Sequence, residues 1–255
     1  MIEIRTIGPH EADEFLRVLC DVFELDFSRA RGVFQREPFF DLNRKWALFL
    51  NGRMASVLTT VPVRFGDGPS IGIAGVATQR AWRGQGLAGQ LIEEVMRVAS
   101  DQGEGRALLF AKDEQLYSRH GFRTLDRVIS QQLPRGISLN DNKLLTIDEV
   151  KSLYDSWADQ NPHTLRRDEQ RWHFWSWNAK SVFSIPSGYV CVELGRVREL
   201  LPTYQTLPVS DPLEFYGLTS MAKELRIPMS NPTPDTFLMG RNFDYVPRMF
   251  LSDQF

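Results

Sequence analysis

The stretch Gly75–Gly89 reads "GVATQRAWRGQGLAG" and carries two phosphate-binding patterns laid over each other. Gly84, Gly86 and Gly89 spell G-x-G-x-x-G, the dinucleotide fingerprint. Arg83, Gly86 and Ala88 spell R-x-x-G-x-A, one form of the acyl-coenzyme A signature Q/R-x-x-G-x-G/A. Fold and chemistry both depend on which phosphate this loop holds.

Context decides between them. A dinucleotide fingerprint needs its first glycine at the very end of a strand, where the backbone turns under the pyrophosphate. Here the strand "IGIAGVAT" ends near Thr78, and "QRAWR" separates it from Gly84. A hairpin precedes that strand, whereas the fingerprint normally opens a run of βαβ units. One point favours the dinucleotide: Asp113 follows a strand near the spacing of roughly 20 residues expected of a ribose-binding acid. The other pattern fits better. A strand, a short polar loop and Gly84-Gln85-Gly86 opening an amphipathic helix make a nest of backbone N–H groups at a helix N-terminus, which suits a pyrophosphate. Gly86 permits close approach, Ala88 keeps the same face clear, and Arg80 and Arg83 add positive charge. The plain alternative is a glycine-rich cap without a ligand, but a cap alone needs no two-glycine loop flanked by arginines.

Outward from this loop, the pattern is mixed. "IEIRTI" alternates as a strand does, and "HEADEFLRVLCDVFEL" places Phe15, Leu16, Leu19, Val22 and Phe23 at helical spacing. A polar, aromatic-studded stretch runs to Lys45. "WALFLNGRMASVLTTVPVRF" is two apolar runs around Asn51-Gly52, a strong hairpin signal. After "IGIAGVAT" a helix over 87–99 presents Leu87, Leu91, Ile92, Val95, Met96 and Ala99 on one face. "GRALLFA" is a strand, "KDEQLYSRHG" a short helix closed by Gly121, and "FRTLDRVISQQL" a further strand. The order β-α-(α)-β-β-β-α-β-α-β describes an α/β domain over 1–134.

At Pro134-Arg135-Gly136 the pattern resets. In 135–255, "SLNDNKLLTIDEVKSLYDSWADQ" gives a linker, a cap and a helix, "RRDEQRWHFWSWNA" a second helix and "SVFSIPSGYVCVELG" a hairpin. "SDPLEFYGLTSMAKELRI" gives a third helix capped by Ser210 or Asp211, and a Pro-rich stretch with one or two short strands follows. The element order of the first half is roughly repeated, without matching residues.

Composition excludes several partners. Net charge is −2 over 255 residues, with 17 basic and 17 acidic side chains in 1–134 and 13 and 15 in 135–255, so no basic face points to nucleic acid. Cys20 and Cys191 form no C-x-x-C, which suits a reducing cytosol. His10, His120, His163 and His173 have no metal-ligand spacing, so no metal is expected. No apolar run approaches a membrane span, and the N-terminus lacks a signal-peptide core. A cytoplasmic protein is expected; a homo-oligomer is left open.

Taken together, Val76-Ala77-Thr78 followed by Arg83-Gly84-Gln85-Gly86-Leu87-Ala88 resembles motif A of the GCN5-related N-acetyltransferase (GNAT) superfamily. "LYSRHGF", Leu116–Phe122, resembles its motif B, L-Y-x-x-x-G-F, at the customary distance. Arg80 stands where many members have proline. The resemblance implies an acyl-CoA N-acyltransferase fold, a splayed mixed sheet with acetyl-CoA wedged between the strands ending near Thr78 and Ala111. Backbone groups of Val76, Ala77 and Thr78 would pair with the pantetheine arm. Arg83 and the amides of Gly84, Gln85, Gly86, Leu87, Ala88 and Gly89 would hold the pyrophosphate. Tyr117 matches the tyrosine that in many members donates a proton to the leaving thiolate; the alternative is a half-buried packing residue. The motif A strand lacks the glutamate many members use as base. Water, a carboxylate such as Glu24 or Asp26, or a histidine would then take that role; His120, before Gly121, reads as an exposed turn residue.

A narrower resemblance spans the chain. The two motifs, with a second domain opening "LLTIDEVKSLYDSWADQNP", are similar to tandem acetyltransferases of the enhanced-intracellular-survival type, without their sterol-carrier-like third domain. It implies a catalytic domain over 1–134 and a degenerate GNAT-like domain over 135–255. In that type a terminal carboxylate is the base; this chain's last residue is Phe255, and the role is not carried over. No glycine in the second half has the cofactor motif around it. Its "RWHFWSW" is either core or one wall of an acceptor pocket, where tryptophan faces hold a cationic amine. The acceptor expected is a primary amine of a small molecule or peptide, bound near Glu24 and Asp26; those acids are otherwise plain solvated surface groups. The competing classes are a non-catalytic acyl-CoA-binding sensor or assembly domain and an NAD-binding oxidoreductase.

Overall fold

Strand β1 (Ile2–Thr6) leads into α1 (Ala12–Phe23), which buries Phe15, Leu16 and Val18. Phe23, expected on that apolar face, is 49% exposed because the helix ends there: Glu24 takes a left-handed φ of 58° and the Leu25 N–H closes on the Cys20 carbonyl. Asp26 then caps α2 (Phe27–Phe34), its carboxylate accepting from the Arg29 N–H at 2.7 Å. Strands β2 (Lys45–Leu50) and β3 (Arg53–Phe65) turn on Asn51 and Gly52, whose φ values of 50° and 77° are those a two-residue type I′ hairpin requires. Next come β4 (Gly68–Thr78), α3 (Leu87–Asp101), β5 (Ala107–Ala111), α4 (Gln115–Ser118) and β6 (Arg123–Gln132), in the order the sequence implies. All six apolar positions expected on one face of α3 are buried.

The computed structural model describes residues 1–133, 143–186, 188–203 and 213–255. The reset at Pro134-Arg135-Gly136 and the caps read at Ser210 and Asp211 lie outside the described residues. Beyond them, α5 (Ile147–Ala158) opens on a Thr146/Glu149 capping box and is followed by the two-residue strand β7 (Leu165–Arg166). Asp168 caps α6 (Glu169–Trp177), and β8 (Ser181–Ile185) pairs antiparallel with β9 (Gly188–Glu193), the hairpin expected. Strand β10 (Arg196–Leu201) has no counterpart in the sequence reading. The segment read as one long third helix is instead β11 (Glu214–Leu218) followed by the short α7 (Thr219–Glu224). The reason is the period: Phe215 is buried between the half-exposed Glu214 and Tyr216, a two-residue alternation that β6 satisfies through Phe215↔Gln131. The last strand is β12 (Thr233–Arg241).

All the described strands join one sheet in the order β1-β2-β3-β4-β5-β12-β6-β11-β10-β9-β8, with β7 on the far end of β3. Strand β12, from the second half, runs antiparallel between β5 and β6, pairing Met239 with Leu109 and Gly240 with Arg123. Side chains alternate across this sheet. Ala47 and Phe49 pack with α1, whereas Leu48 between them packs with α3, so these two helices cover opposite faces. Leu109 joins the α3 core and Leu108 the core of the second half, which therefore lies opposite α3. On that side the Phe255 ring lies flat against Gly72, where no Cβ would fit, and meets Phe110 at 5.6 Å.

Candidate active site

The site is made by two strands that part. β4 and β5 are parallel and joined only at Ile71↔Ala107, Gly72↔Leu108 and Ile73↔Leu109. Past that point β4 follows β3 instead, with a register shift opposite Gly75, whose φ is +59°. A bulge with a left-handed glycine bends and twists the strand that carries it. The end of β4, from Ala74 to Thr78, therefore veers from β5. A cleft of about 410 Å³ opens beside it, lined along β4 by Val76 and Thr78, from α1 by Val22 and from α4 by Leu116 and Tyr117.

One end of the cleft is the glycine loop. After Thr78 the chain makes a single 3-10 turn, Arg80–Trp82, and then takes left-handed φ values of 78° at Gly84 and 72° at Gly86. A Cβ on either would meet open space, so conformation and not crowding calls for glycine there. Gly86 is the residue before α3, and the first intrahelical bond runs from the Gln90 N–H to its carbonyl at 3.1 Å. The amides of Leu87, Ala88 and Gly89 thus have no acceptor within the helix, and they sit at its positive end. Arg83 braces the loop, its Nε donating to the Thr78 carbonyl at 3.1 Å.

Gly89 is glycine for a different reason. A Cβ there would collide with Cε1 and Nε2 of His120, which packs on the first turn of α3. His120 is no exposed turn residue: it lines the cleft with its side chain 20% exposed, and its Nδ1 lies 3.2 Å from the Glu93 carboxylate. Tyr117 stands on the same short helix, its ring edge-on to Phe122 at 6.2 Å. Burial pushes its hydroxyl above the ordinary tyrosine range.

The cleft thus brings together Val76, Thr78, Arg83, Gly84, Gly86, Leu87, Ala88, Gly89 and Tyr117. Two of the residues predicted to bind the cofactor stand apart. Ala77 faces the opposite way, into the core beneath α1, and Gln85 is exposed beside the loop without lining the cleft. The acids Glu24 and Asp26 do not line it either. Glu24 ends α1 and lies 3.8 Å from Arg80 with both side chains largely in solvent, while Asp26 is spent on capping α2. Sequence reasoning missed Trp82, Arg119 and His120 as lining residues; the adjacency of Arg119 and His120 to Tyr117 was the available signal. Three of the four clustered tryptophans are core. Trp157, Trp172 and Trp175 are buried while Trp177 is exposed, and Trp172 and Trp175 face the protein's own Arg167, at 4.6 and 5.6 Å from the ring centres.

Residues 3–125 match a family model described as an acetyltransferase (GNAT) domain. No curated protein matches the chain. Among solved structures, a GCN5-related N-acetyltransferase from Kribbella flavida superposes with a TM-score of 0.74 at 15% identity, over 94% of this chain and 70% of that one. One from Anabaena variabilis gives 0.70 at 16% identity, over 94% and 72%. Eis1 from Mycobacterium abscessus gives 0.65 at 14% identity, over 93% and 73%. Identities this low speak for the fold alone. The chain therefore has the mixed α/β GNAT acyltransferase fold, with an acetyltransferase (GNAT) domain recognised over residues 3–125.

Proposed function

We propose that the protein is an acetyl-CoA-dependent N-acetyltransferase that moves an acetyl group to a primary amine of a small molecule or peptide. The observation that carries this reading is a single cleft with a two-glycine amide nest at one end and a half-buried tyrosine on its wall. The residues present suit the cofactor. The first-turn amides of α3 and the left-handed Gly84 and Gly86 form an anion cradle, and the volume lies within the usual range of ligand sites, about 300–1,000 Å³. Backbone groups of Val76–Thr78, free of β5, would pair with the pantetheine arm, and Arg83 would add charge beside the diphosphate.

When bound, acetyl-CoA supplies the thioester. A backbone N–H of β4 would polarise the carbonyl oxygen, as oxyanion stabilisation requires. The acceptor nitrogen would bond to the carbonyl carbon as the C–S bond breaks, with the Tyr117 hydroxyl giving its proton to the departing sulfur and regaining one from solvent. The lining includes His120 and, among the described residues, no carboxylate, so the amine's proton would pass to water or to a histidine. Residues 135–255 are read as a degenerate GNAT-like domain without a cofactor loop, contributing β12 to the catalytic sheet. The buried free thiols of Cys20 and Cys191 suit a cytoplasmic setting.

The test is a thermal-shift titration followed by turnover. Acetyl-CoA should raise the melting temperature, NAD should not, and Gly86→Asp should abolish the shift by placing a carboxylate among amides meant for phosphate. A shift that persists in Gly86→Asp would place the cofactor elsewhere. Release of coenzyme A with an amine panel separates an enzyme from a binding protein.

A further inference from the structure

His120 is placed where a loop residue has no structural need to be. Its Cε1 and Nε2 edge rests on Gly89, the third residue of α3, so that a Cβ at that position would have to displace the ring. Its other nitrogen, Nδ1, faces the Glu93 carboxylate one turn further along the same helix, at 3.2 Å. Glu93 is held from a third side by Arg241 of β12, whose NH1 donates to it at 2.9 Å. Arg241 itself runs beside Gly121, the residue after His120. Three elements, α3, the turn after α4 and β12, thus fix one imidazole over the first turn of α3, beside the amide nest.

This arrangement constrains the proton. With the anionic Glu93 on Nδ1, that nitrogen carries the hydrogen in the neutral ring and Nε2 is left with a lone pair. A lone pair facing phosphate oxygens is repelled. In the imidazolium both nitrogens donate, and Nε2–H becomes a charge-assisted donor to an anion in the nest. We propose that His120 is a proton-linked ligand of the cofactor's diphosphate, Nδ1–H held by Glu93 and Nε2–H given to a phosphate oxygen, so that binding draws protons from solvent. The groups that face it are Glu93 on α3, Arg241 of β12 through that carboxylate, Tyr117 and Arg119 on the α4 side, and Arg83 across the cleft. Of these, histidine is the side-chain type whose charge ordinarily changes between pH 5 and 8. The inference rests on the reading of this cleft as a coenzyme A site.

The probe is acetyl-dephospho-coenzyme A. It lacks the 3′-phosphate, which titrates near neutral pH, and the free thiol; only the diphosphate remains to report. Calorimetric titrations of the full chain in buffers of different ionisation enthalpy count the protons taken up. The parent protein should bind about tenfold more weakly near pH 8 than near pH 5.5, the scale of one charge-assisted hydrogen bond. By linkage, a tenfold change in affinity corresponds to an uptake that peaks at about half a proton in the middle of that range and falls away at either end. His120→Gln should bind with the weaker affinity at both values and take up none. Gly89→Ala, which displaces the ring and leaves the carbonyl and amide of the helix in place, should lose the pH dependence too. Equal affinities across pH in the parent, or the same proton uptake in His120→Gln, would overturn the role of His120 while leaving the site intact. Absence of binding at every pH would overturn the site and this inference with it.

Discussion

The guanidinium of Arg167 and the carboxylate of Glu199 meet at 2.7 Å with neither side chain exposed. Asp253 completes the group, also 2.7 Å from Arg167, and the Tyr189 hydroxyl donates to Glu199 at 2.6 Å. Arg167 follows β7, Glu199 lies on β10, and Asp253 belongs to the 3-10 turn Leu251–Asp253, so the network ties three distant segments. Phe255, two residues on from Asp253, packs on Gly72 next to the parting of β4 and β5. A buried ion pair is weak evidence of net stability, but removing one partner strands the other.

Arg167→Met should therefore be among the most damaging substitutions in the chain. It leaves two carboxylates in the core without their cation, a loss on the order of 3–5 kcal/mol. Urea unfolding monitored by tryptophan fluorescence reads it directly, since Trp172 and Trp175 surround the site. A midpoint within error of the parent would show that the network is dispensable.

Acid should destabilise the fold in a defined window. Hydrogen bonding to Arg5 holds the Glu11 carboxyl at about 2, against an ordinary value of 4.5. Glu199 is also lowered: burial opposes its charge, but Arg167 and the hydroxyls of Ser252 and Tyr189 outweigh it. A folded-state value below the unfolded one gives stability that is complete above pH 4.5 and is lost as pH falls toward 2. Melting temperature should drop across that window, and Glu11→Gln should drop less than the parent over the same range. Parallel curves would mean that the Arg5–Glu11 pair contributes nothing to folding.

The position of β12 predicts that residues 1–133 cannot fold alone. Without Thr233–Arg241, the facing edges of β5 and β6 lose every ladder bond between them, and Met239 leaves the α3 core. Two open edges beside a depleted core favour aggregation over a native monomer. The truncated chain should show no cooperative melting transition, and a peptide of 228–245 should not restore one to more than a minor fraction. A sharp transition in the truncated chain would mean that the first half is self-sufficient.

That strand also marks where sequence reading stops. The β4–loop–α3 unit was legible because its signals are local: glycine spacing, a polar loop and a helical apolar face within some thirty residues. The hairpin at Asn51-Gly52 was legible for the same reason. A short strand is expected in the Pro-rich stretch that holds β12, but its place between β5 and β6 is not legible, because its partners lie more than a hundred residues away and nothing in "TPDTFLMGR" names them. β10 is not legible because Glu199 puts a carboxylate at an inward position, which Arg167 and the Tyr189 hydroxyl account for only in the folded chain. In the site, Tyr117 followed from its motif, but His120 needed the packing of α4 on Gly89. For Glu24 and Asp26 the sequence leaves site acids and solvated surface groups both open, and residues at helix ends are readily used for capping, as Asp26 is.

The last prediction concerns Tyr117. Burial alone raises its hydroxyl above the ordinary value of about 10, so it is protonated throughout the neutral range and suited to give a proton rather than take one. Its ring is fixed edge-on to Phe122, which Tyr117→Phe would preserve. The substitution removes one oxygen from the cleft wall and no packing. If the hydroxyl serves the departing thiolate, kcat should fall by about 10²–10⁴-fold, the usual worth of general acid catalysis, with the Kd for acetyl-CoA nearly unchanged. The alkaline limb of the kcat profile should lie above pH 10 in the parent and be absent in Tyr117→Phe. Steady-state rates of coenzyme A release on an amine that the panel identifies, beside calorimetric acetyl-CoA binding, separate the two quantities. An unchanged kcat would reduce Tyr117 to a packing partner of Phe122, and proton delivery to the sulfur would then fall to water.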